Sequence, residues 1–500
     1  MIKLHGRAGG RLLIAGAPEG HDARVLADLA RQGPVVHVAL DDVRLAKLAE
    51  AVEFFAPDVA VVQFPAWDCL PYDRVSPNGE ILSRRVEALT SLLAPAAGPR
   101  IVLTTINALV QKVPPRSAFA AAVFTAKIGD RIDVEALQRY LGDNGYTRSQ
   151  TVREPGEFAI RGGIIDLFPP GTDEPLRLDL FGDELEAVRR FDAMSQRTTD
   201  KCDSVVLKPV SEVFLDEASV ARFRAGYREL FGAVLDDDPL YEAVSAGRRH
   251  AGMEHWAPLF HPAMETLLDY APGAVTLDPR VEEALDARLV QIADFYHARQ
   301  TLQSTEKKAN VPVYKPVPPE RLFLERAAWD ALMESRPVGQ LSPFALPEGS
   351  PGGVDAGGRR GRDFADARAL PDVNVYDVVR QVIEDLQRAD RRVLIAAYSQ
   401  GARDRLLTVL REHGIERVQA ADSYDAARRL DRRTAGLVVL GIETGFAAQD
   451  LSVITEQDIL GDRLARPARK RKRAQNFIAE LSSLNAGDLV VHVDHGIGRF

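Results

Sequence analysis

The sequence predicts an α/β protein built on a doubly wound, mostly parallel sheet. Four apolar runs, at residues 11–15, 35–40, 59–64 and 101–105, alternate with amphipathic stretches. Short apolar runs of this kind are typical of parallel strands that are buried on both faces. Because strands and helices alternate along the chain, we expect right-handed crossovers and a single doubly wound sheet.

The stretches between these runs have helical features. In residues 41–55 the apolar side chains recur at helical spacing, and Asn78 can cap a second amphipathic helix. Pro114 and Pro115 end the alternating pattern. We therefore assign residues 1–117 to the first domain.

Residues 118–211 predict a small inserted α+β domain, in which one helix precedes a meander of strands. In residues 176–181, three leucines alternate with Arg177, Asp179 and Phe181, which should face water. Arginine and aromatic side chains are the ones that most often anchor interfaces. The outer face is therefore a candidate partner-binding surface, and a solvated strand with one stray phenylalanine is the alternative.

The remaining chain divides by composition. Residues 212–345 predict a mostly helical domain, and the Gly/Pro-rich residues 346–370 predict a flexible linker. A second small α/β domain is expected at 371–460, followed by a basic linker at 461–486. Residues 487–500 read as the start of a β domain that stops within an element, which indicates a fragment of a longer protein.

The first strand-to-helix turn stands where a phosphate loop lies in a nucleotide-binding sheet. Gly16 and Gly20 are present, but His21 and Asp22 occupy the places of the lysine and the hydroxyl residue. Glu19 adds negative charge where an anion would bind. The turn therefore predicts a degenerate phosphate loop, and we expect no catalytic residue and no cofactor in this chain.

Composition narrows the function further. The net charge of −9 gives no overall cationic surface for nucleic acid, and two cysteines fit a reducing compartment. No apolar run is long enough to cross a membrane. The histidines lack the spacing of metal ligands. These features predict a cytoplasmic protein without a membrane partner or a metal site.

One segment departs from the acidic average, because residues 463–473 hold seven basic residues in eleven. Three interpretations stay open: a solvated linker, a segment that binds phosphate, or a segment that pairs with an acidic protein. Phosphate binding would depend steeply on salt. The candidate phosphate contacts are Arg469, Lys470, Arg471, Lys472 and Arg473.

Four segments, in order, resemble the amino-terminal half of the transcription-repair coupling factor family. They are PAWDCLPYDRVSPNGEILSRRVEAL at 65–89, the meander from GEFAIRGG to SQRT at 156–198, ITEQDILGDRL at 454–464 and VVHVDHGIGRF at 490–500. The resemblance implies a degenerate P-loop sheet of the RecA and UvrB kind, with UvrB-like domains 1a, 2 and 1b up to residue 345. It also implies that a polymerase-interacting β-barrel begins near residue 487.

The resemblance further implies partners. The family's UvrA-contact positions carry over onto Arg161, Arg177 and Phe181, and Gly162-Gly163 would aim Arg161 through a bend or bulge. RNA polymerase would bind the domain that begins near 487, and an ATP- and magnesium-dependent DNA motor would follow residue 500. We thus expect a monomeric adaptor that recruits UvrA to polymerase stalled at DNA damage, in a parent that releases the polymerase.

Two other functions stay open at this point. An active UvrB-like helicase subunit would need a working phosphate loop. A DNA-binding module would act through residues 463–473. Only Trp67 and Tyr72 stand where UvrB has its tyrosine-rich DNA hairpin, so damage reading by base stacking is not carried over.

Overall fold

The computed structural model describes residues 2–4, 10–120, 122–234, 238–308, 312–347, 352–461, 489–492 and 496–499. The chain divides into two compact units. Unit 1 comprises Met1–Arg362 and Thr444–Val453, and unit 2 comprises Asp363–Glu443 and Ile454–Phe500.

The strands, in chain order, are β1 (Arg11–Ala15), β2 (Val35–Ala39), β3 (Ala60–Phe64), β4 (Arg100–Thr105), β5 (Phe124–Lys127), β6 (Thr147–Arg148), β7 (Glu157–Arg161), β8 (Ile164–Leu167), β9 (Leu176–Phe181), β10 (Glu184–Phe191), β11 (Thr198–Cys202), β12 (Ser204–Leu207), β13 (Ala274–Leu277), β14 (Val338–Leu341), β15 (Gly353–Asp355), β16 (Arg359–Arg360), β17 (Arg392–Ala397), β18 (Val418–Ala420), β19 (Ala435–Val439), β20 (Phe446–Ala447), β21 (Leu451–Thr455), β22 (Leu489–His492) and β23 (Gly496–Arg499).

The helices are α1 (His21–Ala30), α2 (Asp42–Phe55), α3 (Gly79–Leu93), α4 (Ile106–Leu109), α5 (Arg116–Ala120), α6 (Val134–Asp143), α7 (Glu217–Phe231), α8 (Pro239–Ser245), α9 (Leu267–Tyr270), α10 (Val281–Lys308), α11 (Pro319–Leu322), α12 (Arg326–Glu334), α13 (Ala365–Ala369), α14 (Val375–Arg388), α15 (Gln400–Glu412), α16 (Tyr424–Arg429) and α17 (Glu456–Leu460). A 3₁₀ helix spans Met253–Leu259.

A seven-stranded parallel sheet lies at the centre of unit 1, in the order β15-β1-β14-β13-β2-β4-β3. Strands β1 to β4 form at the four predicted apolar runs, and Asn78 caps α3 by accepting a hydrogen bond from the Glu80 amide. The predicted α/β class is confirmed. Val36, Val102 and Val275, from three neighbouring strands, are buried in one core.

The middle of this sheet differs from the expectation. Residues 212–345, which the sequence predicts to be mostly helical, also supply β13 and β14, and these strands separate β1 from β2. Both are four residues long, AVTL and VGQL. Segments this short cannot show the periodicity that distinguishes a strand from a helix. They form strands here because each is paired with a neighbouring strand on both sides.

The structure also differs from the flexible linker that is expected at residues 346–370. Within 346–370, β15 pairs in parallel with β1, and β16 pairs antiparallel with β20 of the same unit. The glycines there permit close backbone approach, because a Cβ on Gly358 would stand 2.3 Å from Cδ2 of His21. This part of the segment therefore packs on the sheet, and its composition reflects tight packing instead of flexibility.

The inserted domain of unit 1 contains the predicted meander. Its six-stranded sheet has the order β11-β10-β9-β8-β7-β6, and β7 to β11 are antiparallel neighbours. Strands β5 and β12 pair separately. One face of the large sheet buries Ile165, Leu167, Leu178 and Val188 together with Leu137 of α6. Part of the other face is covered by a second, smaller apolar cluster of Val152, Ala159, Phe168 and Phe191, and the rest of that face carries polar side chains.

Unit 2 contains a three-stranded parallel arrangement in the order β17-β19-β18. The predicted strands at 393–397 and 437–441 and the predicted helix at 401–413 form, with shifted ends, as β17, β19 and α15. Val379, Ile395, Leu406 and Leu437 lie in its core.

Near the end of the described chain, β22 and β23 pair in antiparallel fashion. The residues from Arg469 to Arg473 lie outside the described ones, so the interpretation of the basic run stays open. Among the described helices, none is long and apolar enough to cross a bilayer.

Candidate functional site

The outer face of the meander is the candidate docking surface, and it is formed by β7, β8 and β9. Leu176 and Leu178 point into the core as predicted, while Asp166 stands opposite Arg177 and Ile164 opposite Asp179. Arg161 pairs with Ile164 across the hairpin. Residues that are directly paired in a ladder lie on the same face, so Arg161, Ile164, Arg177 and Asp179 share one surface.

Phe181 is the most exposed large apolar side chain of this surface. It ends β9 with 80% of its area exposed, directly before Gly182, whose φ is +66°. Because β9 alternates, Phe181 lies on the same face as Asp179. The ring therefore meets water on a strand that is otherwise firmly paired.

Arg177 has partners within the chain. Its Nε and Nη2 donate to the two carboxylate oxygens of Asp166 at 2.6 and 2.9 Å, and its guanidinium carbon lies 4.6 Å from the centre of the Phe191 ring. The hydrogen bonds to Asp166 raise the pKa of Arg177. Arg177 thus holds a buried carboxylate and presents only part of its guanidinium group to the surface.

Arg161 is exposed, and its Nη2 donates to the Gln150 carbonyl. The sequence predicts a turn at Gly162-Gly163 that bends the chain beside Arg161, and the structure has a tight two-residue hairpin there, in which Arg161 is paired with Ile164. A Cβ on Gly163 would stand 2.6 Å from the Leu180 carbonyl oxygen. Glycine is therefore required for β8 to approach β9.

Two features of this surface are not predicted from the sequence. Ile164 is 40% exposed, and it adds an aliphatic contact to the same face as Phe181. An ion pair of 3.0 Å joins Asp179 to Arg189 of the neighbouring strand. The alternating pattern of β8, IIDL, could have identified Ile164 as an outward-facing residue. The Asp179–Arg189 ion pair could not be identified in this way, because it depends on the register between two strands. The surface combines apolar area with a charged rim.

The backbone of the phosphate-loop turn is occupied by the chain itself. The amides of Gly16 and Ala17 donate to the carbonyls of Phe344 and Ser342 at 2.7 and 2.9 Å, and the amides of His21 and Asp22 both donate to Pro18 at 3.0 Å. A phosphate cradle needs such amides to point at the ligand. Here these donors are satisfied internally.

The side chains of the turn are also engaged. Asp22 is buried and forms an ion pair with Arg44, which lies 3.3 Å from Asp278 as well. Burial alone lowers the pKa of Arg44, but Asp22 and Asp278 raise it above its ordinary value. A buried, internally neutralised carboxylate thus stands where a phosphate-binding loop places its hydroxyl.

Residues of the segment around β15 cover the turn. His21 Nε2 lies 3.0 Å from the Ala356 carbonyl, and the Gly358 amide donates to the Gly16 carbonyl at 2.9 Å. A Cβ on Gly16 would stand 2.4 Å from Oδ1 of Asp355. Burial lowers the pKa of His21. The backbone that follows β15 thus fills the space above the turn.

The histidines considered as metal ligands are separate packing residues. His261 Nε2 lies 2.7 Å from the Glu212 carbonyl, and the His255 ring packs edge-on against Trp67. Across the described ranges, no group of three or more histidine, cysteine or acidic side chains is arranged to hold a metal ion.

Comparison with known proteins agrees with this architecture. A sequence model described as the UvrB interaction domain matches residues 124–213, which contain the docking surface. A model described as the MFD D3 domain matches residues 386–459 of the second α/β domain. The chain therefore contains one segment similar to a UvrB interaction domain and a later segment similar to a D3 domain.

Relatives match along nearly the whole chain. The transcription-repair-coupling factor of Escherichia coli K12 is 30% identical over 511 aligned residues, covering 99% of this chain and 42% of that protein. Those of Haemophilus influenzae and Myxococcus xanthus are 30% and 31% identical, covering 96% and 99% of this chain and 41% and 42% of the relatives. The chain belongs to the transcription-repair-coupling factor family and matches its amino-terminal part. It spans about two fifths of the length of these relatives.

Proposed function

We propose that this chain is the adaptor part of a transcription-repair-coupling factor and binds UvrA through the outer face of β7, β8 and β9. The observation that carries the proposal is Phe181, whose ring is 80% exposed at the end of a paired strand. Burying an aromatic ring of this kind in a partner's pocket is a common source of binding energy. Arg161 contributes charge-assisted hydrogen bonds to the partner.

Arg177 has a second role in this proposal. Its Nε and Nη2 are held by Asp166, so the remaining nitrogen, Nη1, is the one available to a partner. The ion pair fixes the guanidinium plane before binding, which lowers the entropy lost when UvrA docks.

In the whole protein, this docking would bring UvrA to RNA polymerase stalled at DNA damage and so start transcription-coupled nucleotide excision repair. The polymerase would bind the domain that begins near residue 487. A motor beyond residue 500 would use ATP and magnesium to translocate on DNA and release the polymerase. The adaptor would act as a monomer in the cytoplasm.

We also propose that the parallel sheet of unit 1 is a doubly wound P-loop sheet that has lost its nucleotide site. The internal hydrogen bonds of Gly16 and Ala17 and the buried Asp22 support this view. A helicase activity in this part of the chain is therefore not favoured.

Replacing Phe181 with alanine tests the docking proposal. We expect Phe181→Ala to weaken UvrA binding by about 2 kcal/mol, roughly thirtyfold, because the buried ring is lost. The measurement is isothermal titration of purified UvrA into each variant. Phe344→Ala is the matched control, since Phe344 is 77% exposed in a different part of unit 1. Equal losses for the two variants, or none for Phe181→Ala, would contradict the proposal.

A further inference from the structure

A second charged surface lies in unit 2, at the edge where the parallel strands begin. Three segments meet there: residues 388–392 before and at the start of β17, 411–417 before β18, and 428–433 before β19. Together they contain nine arginines and four acidic residues. This excess of positive charge stands out in a chain whose net charge is −9.

The sheet register brings these arginines together. Strands β17 and β19 are paired, and the Arg392 guanidinium donates to the Leu430 carbonyl just before β19, so the segments that carry Arg391 and Arg433 lie side by side. The Ala435 amide donates to the carbonyl of Arg417, which places Arg417 at the start of the next strand. Neighbouring strands lie about 4.8 Å apart. The three strand starts therefore present arginines across roughly 10 Å of one edge.

Part of this charge has a structural role. Helices α14, α15 and α16 all end at this edge, where their carbonyl groups attract cations. Arg392 donates to the Ala427 and Leu430 carbonyls at 2.9 and 3.0 Å, and Arg432 donates to the Asp390 carbonyl at 2.8 Å. These two arginines cap the ends of the helices and the adjoining turn.

Three more of the nine arginines are also engaged within the chain: Arg388 and Arg428 form ion pairs with Asp385 and Asp425, and Arg411 donates to the Val418 carbonyl. The other four arginines have no such role. Arg417, Arg429 and Arg433 are exposed and Arg391 is half-buried. Within the described ranges, none of their guanidinium groups forms a hydrogen bond or an ion pair. We name Arg391, Arg417, Arg429 and Arg433 the basic edge.

We propose that the basic edge binds the phosphate backbone of duplex DNA. Arginine forks match phosphate oxygens, and several arginines on one edge can follow successive phosphates. A protein partner would need apolar anchors as well. Among the residues of unit 2 that the structure describes, the exposed large apolar ones are Leu370, Val373 and Val439, and none belongs to the three segments.

Among the described residues at this edge, no fully exposed aromatic ring is present on which a base could stack, which favours duplex over single-stranded nucleic acid. Proteins that bind single strands stack bases on exposed aromatic rings. The rings nearest to this edge are already engaged: His413 stacks on Tyr376 with 4.1 Å between ring centres, and the half-buried Tyr424 has the Arg428 guanidinium 5.8 Å from its ring centre. A contact to the phosphate backbone alone needs no such ring.

The test measures salt dependence of DNA binding in the 500-residue chain. Fluorescence anisotropy follows a labelled 20-base-pair duplex of mixed sequence over a salt series. All seven basic residues of 463–473 are replaced by glutamine in every variant, so that the basic run does not contribute. The test variant carries four Arg→Gln changes in the basic edge. The control carries the same change in four helix-surface arginines: Arg224, Arg228, Arg380 and Arg405.

We expect the test variant to flatten the slope of log affinity against log salt by roughly 3 to 4, since each phosphate contact contributes about 0.9. The control should keep the parent slope. Equal slopes for the two variants would overturn the proposal. In a competition experiment, poly-glutamate is compared with unlabelled DNA at equal charge. If poly-glutamate displaces the labelled duplex as readily as DNA does, the proposal is overturned and an acidic protein partner is indicated.

Discussion

At the scale of single residues, the docking surface separates into an anchor and a support. Phe181 is largely exposed and so contributes little to packing within the chain. Arg177, in contrast, covers the Phe191 ring and neutralises the Asp166 carboxylate. The Asp166 side chain is only 2% exposed. Removing Arg177 would therefore leave a buried carboxylate without its counter-charge.

This difference leads to a stability prediction. We expect Arg177→Ala to lower the free energy of unfolding of the inserted domain by about 3 kcal/mol, because an unpaired buried charge is costly. Urea unfolding monitored by circular dichroism measures the loss. Adding Asp166→Asn should restore much of it, and a double variant as unstable as the single one would contradict the ion-pair explanation.

The residue scale also shows what alternation can and cannot predict. The sequence identifies the outward face of β9 correctly, because period-two alternation assigns Leu176 and Leu178 to the core. It does not identify Asp166 as the partner of Arg177, because that contact depends on the register between β8 and β9. The sequence pattern of one strand does not specify which residues of the neighbouring strand lie opposite it.

At the scale of elements, the covered phosphate-loop turn is the main departure from expectation. The Gly/Pro-rich composition predicts a flexible linker, but β15 joins the sheet beside β1. Glycine favours loops and also permits close packing, and composition alone does not distinguish the two. The sequence does not predict β13 and β14, because the four-residue segments AVTL and VGQL mix apolar with polar or glycine residues and are too short to show a period.

The covered turn predicts that this chain does not bind ATP. Titration of ATP with magnesium, followed by isothermal calorimetry, should give no saturable heat up to millimolar concentration, because the loop amides already donate to Phe344 and Ser342. A micromolar dissociation constant would contradict the degenerate-site proposal and support the helicase alternative.

At the scale of the whole molecule, unit 1 buries histidines that must stay neutral. Burial lowers the pKa of His255 to about 4, from 6.5. Between these values the unfolded chain binds a proton and the folded chain does not, so the fold loses stability as pH falls from about 6.5 towards 4. His21 and His261 shift in the same direction.

We therefore expect acidification from pH 7 to 5 to lower the free energy of unfolding, with about 2 kcal/mol of the loss due to His255. Urea unfolding of wild type and His255→Gln at both pH values measures this share. For His255→Gln, the loss of unfolding free energy between pH 7 and pH 5 should be about 2 kcal/mol smaller than for wild type. His297→Gln, on the exposed surface of α10, is the control. Identical differences for His255→Gln and wild type would contradict the assignment.

The central claim, that UvrA docks on the outer face of β7, β8 and β9, is tested most directly by amide hydrogen exchange with and without UvrA. We predict that UvrA slows exchange in peptides covering residues 161–164 and 179–184, where the hairpin turn and the end of β9 lie. Exchange slowed only in other parts of the chain, with these two peptides unchanged, would contradict it.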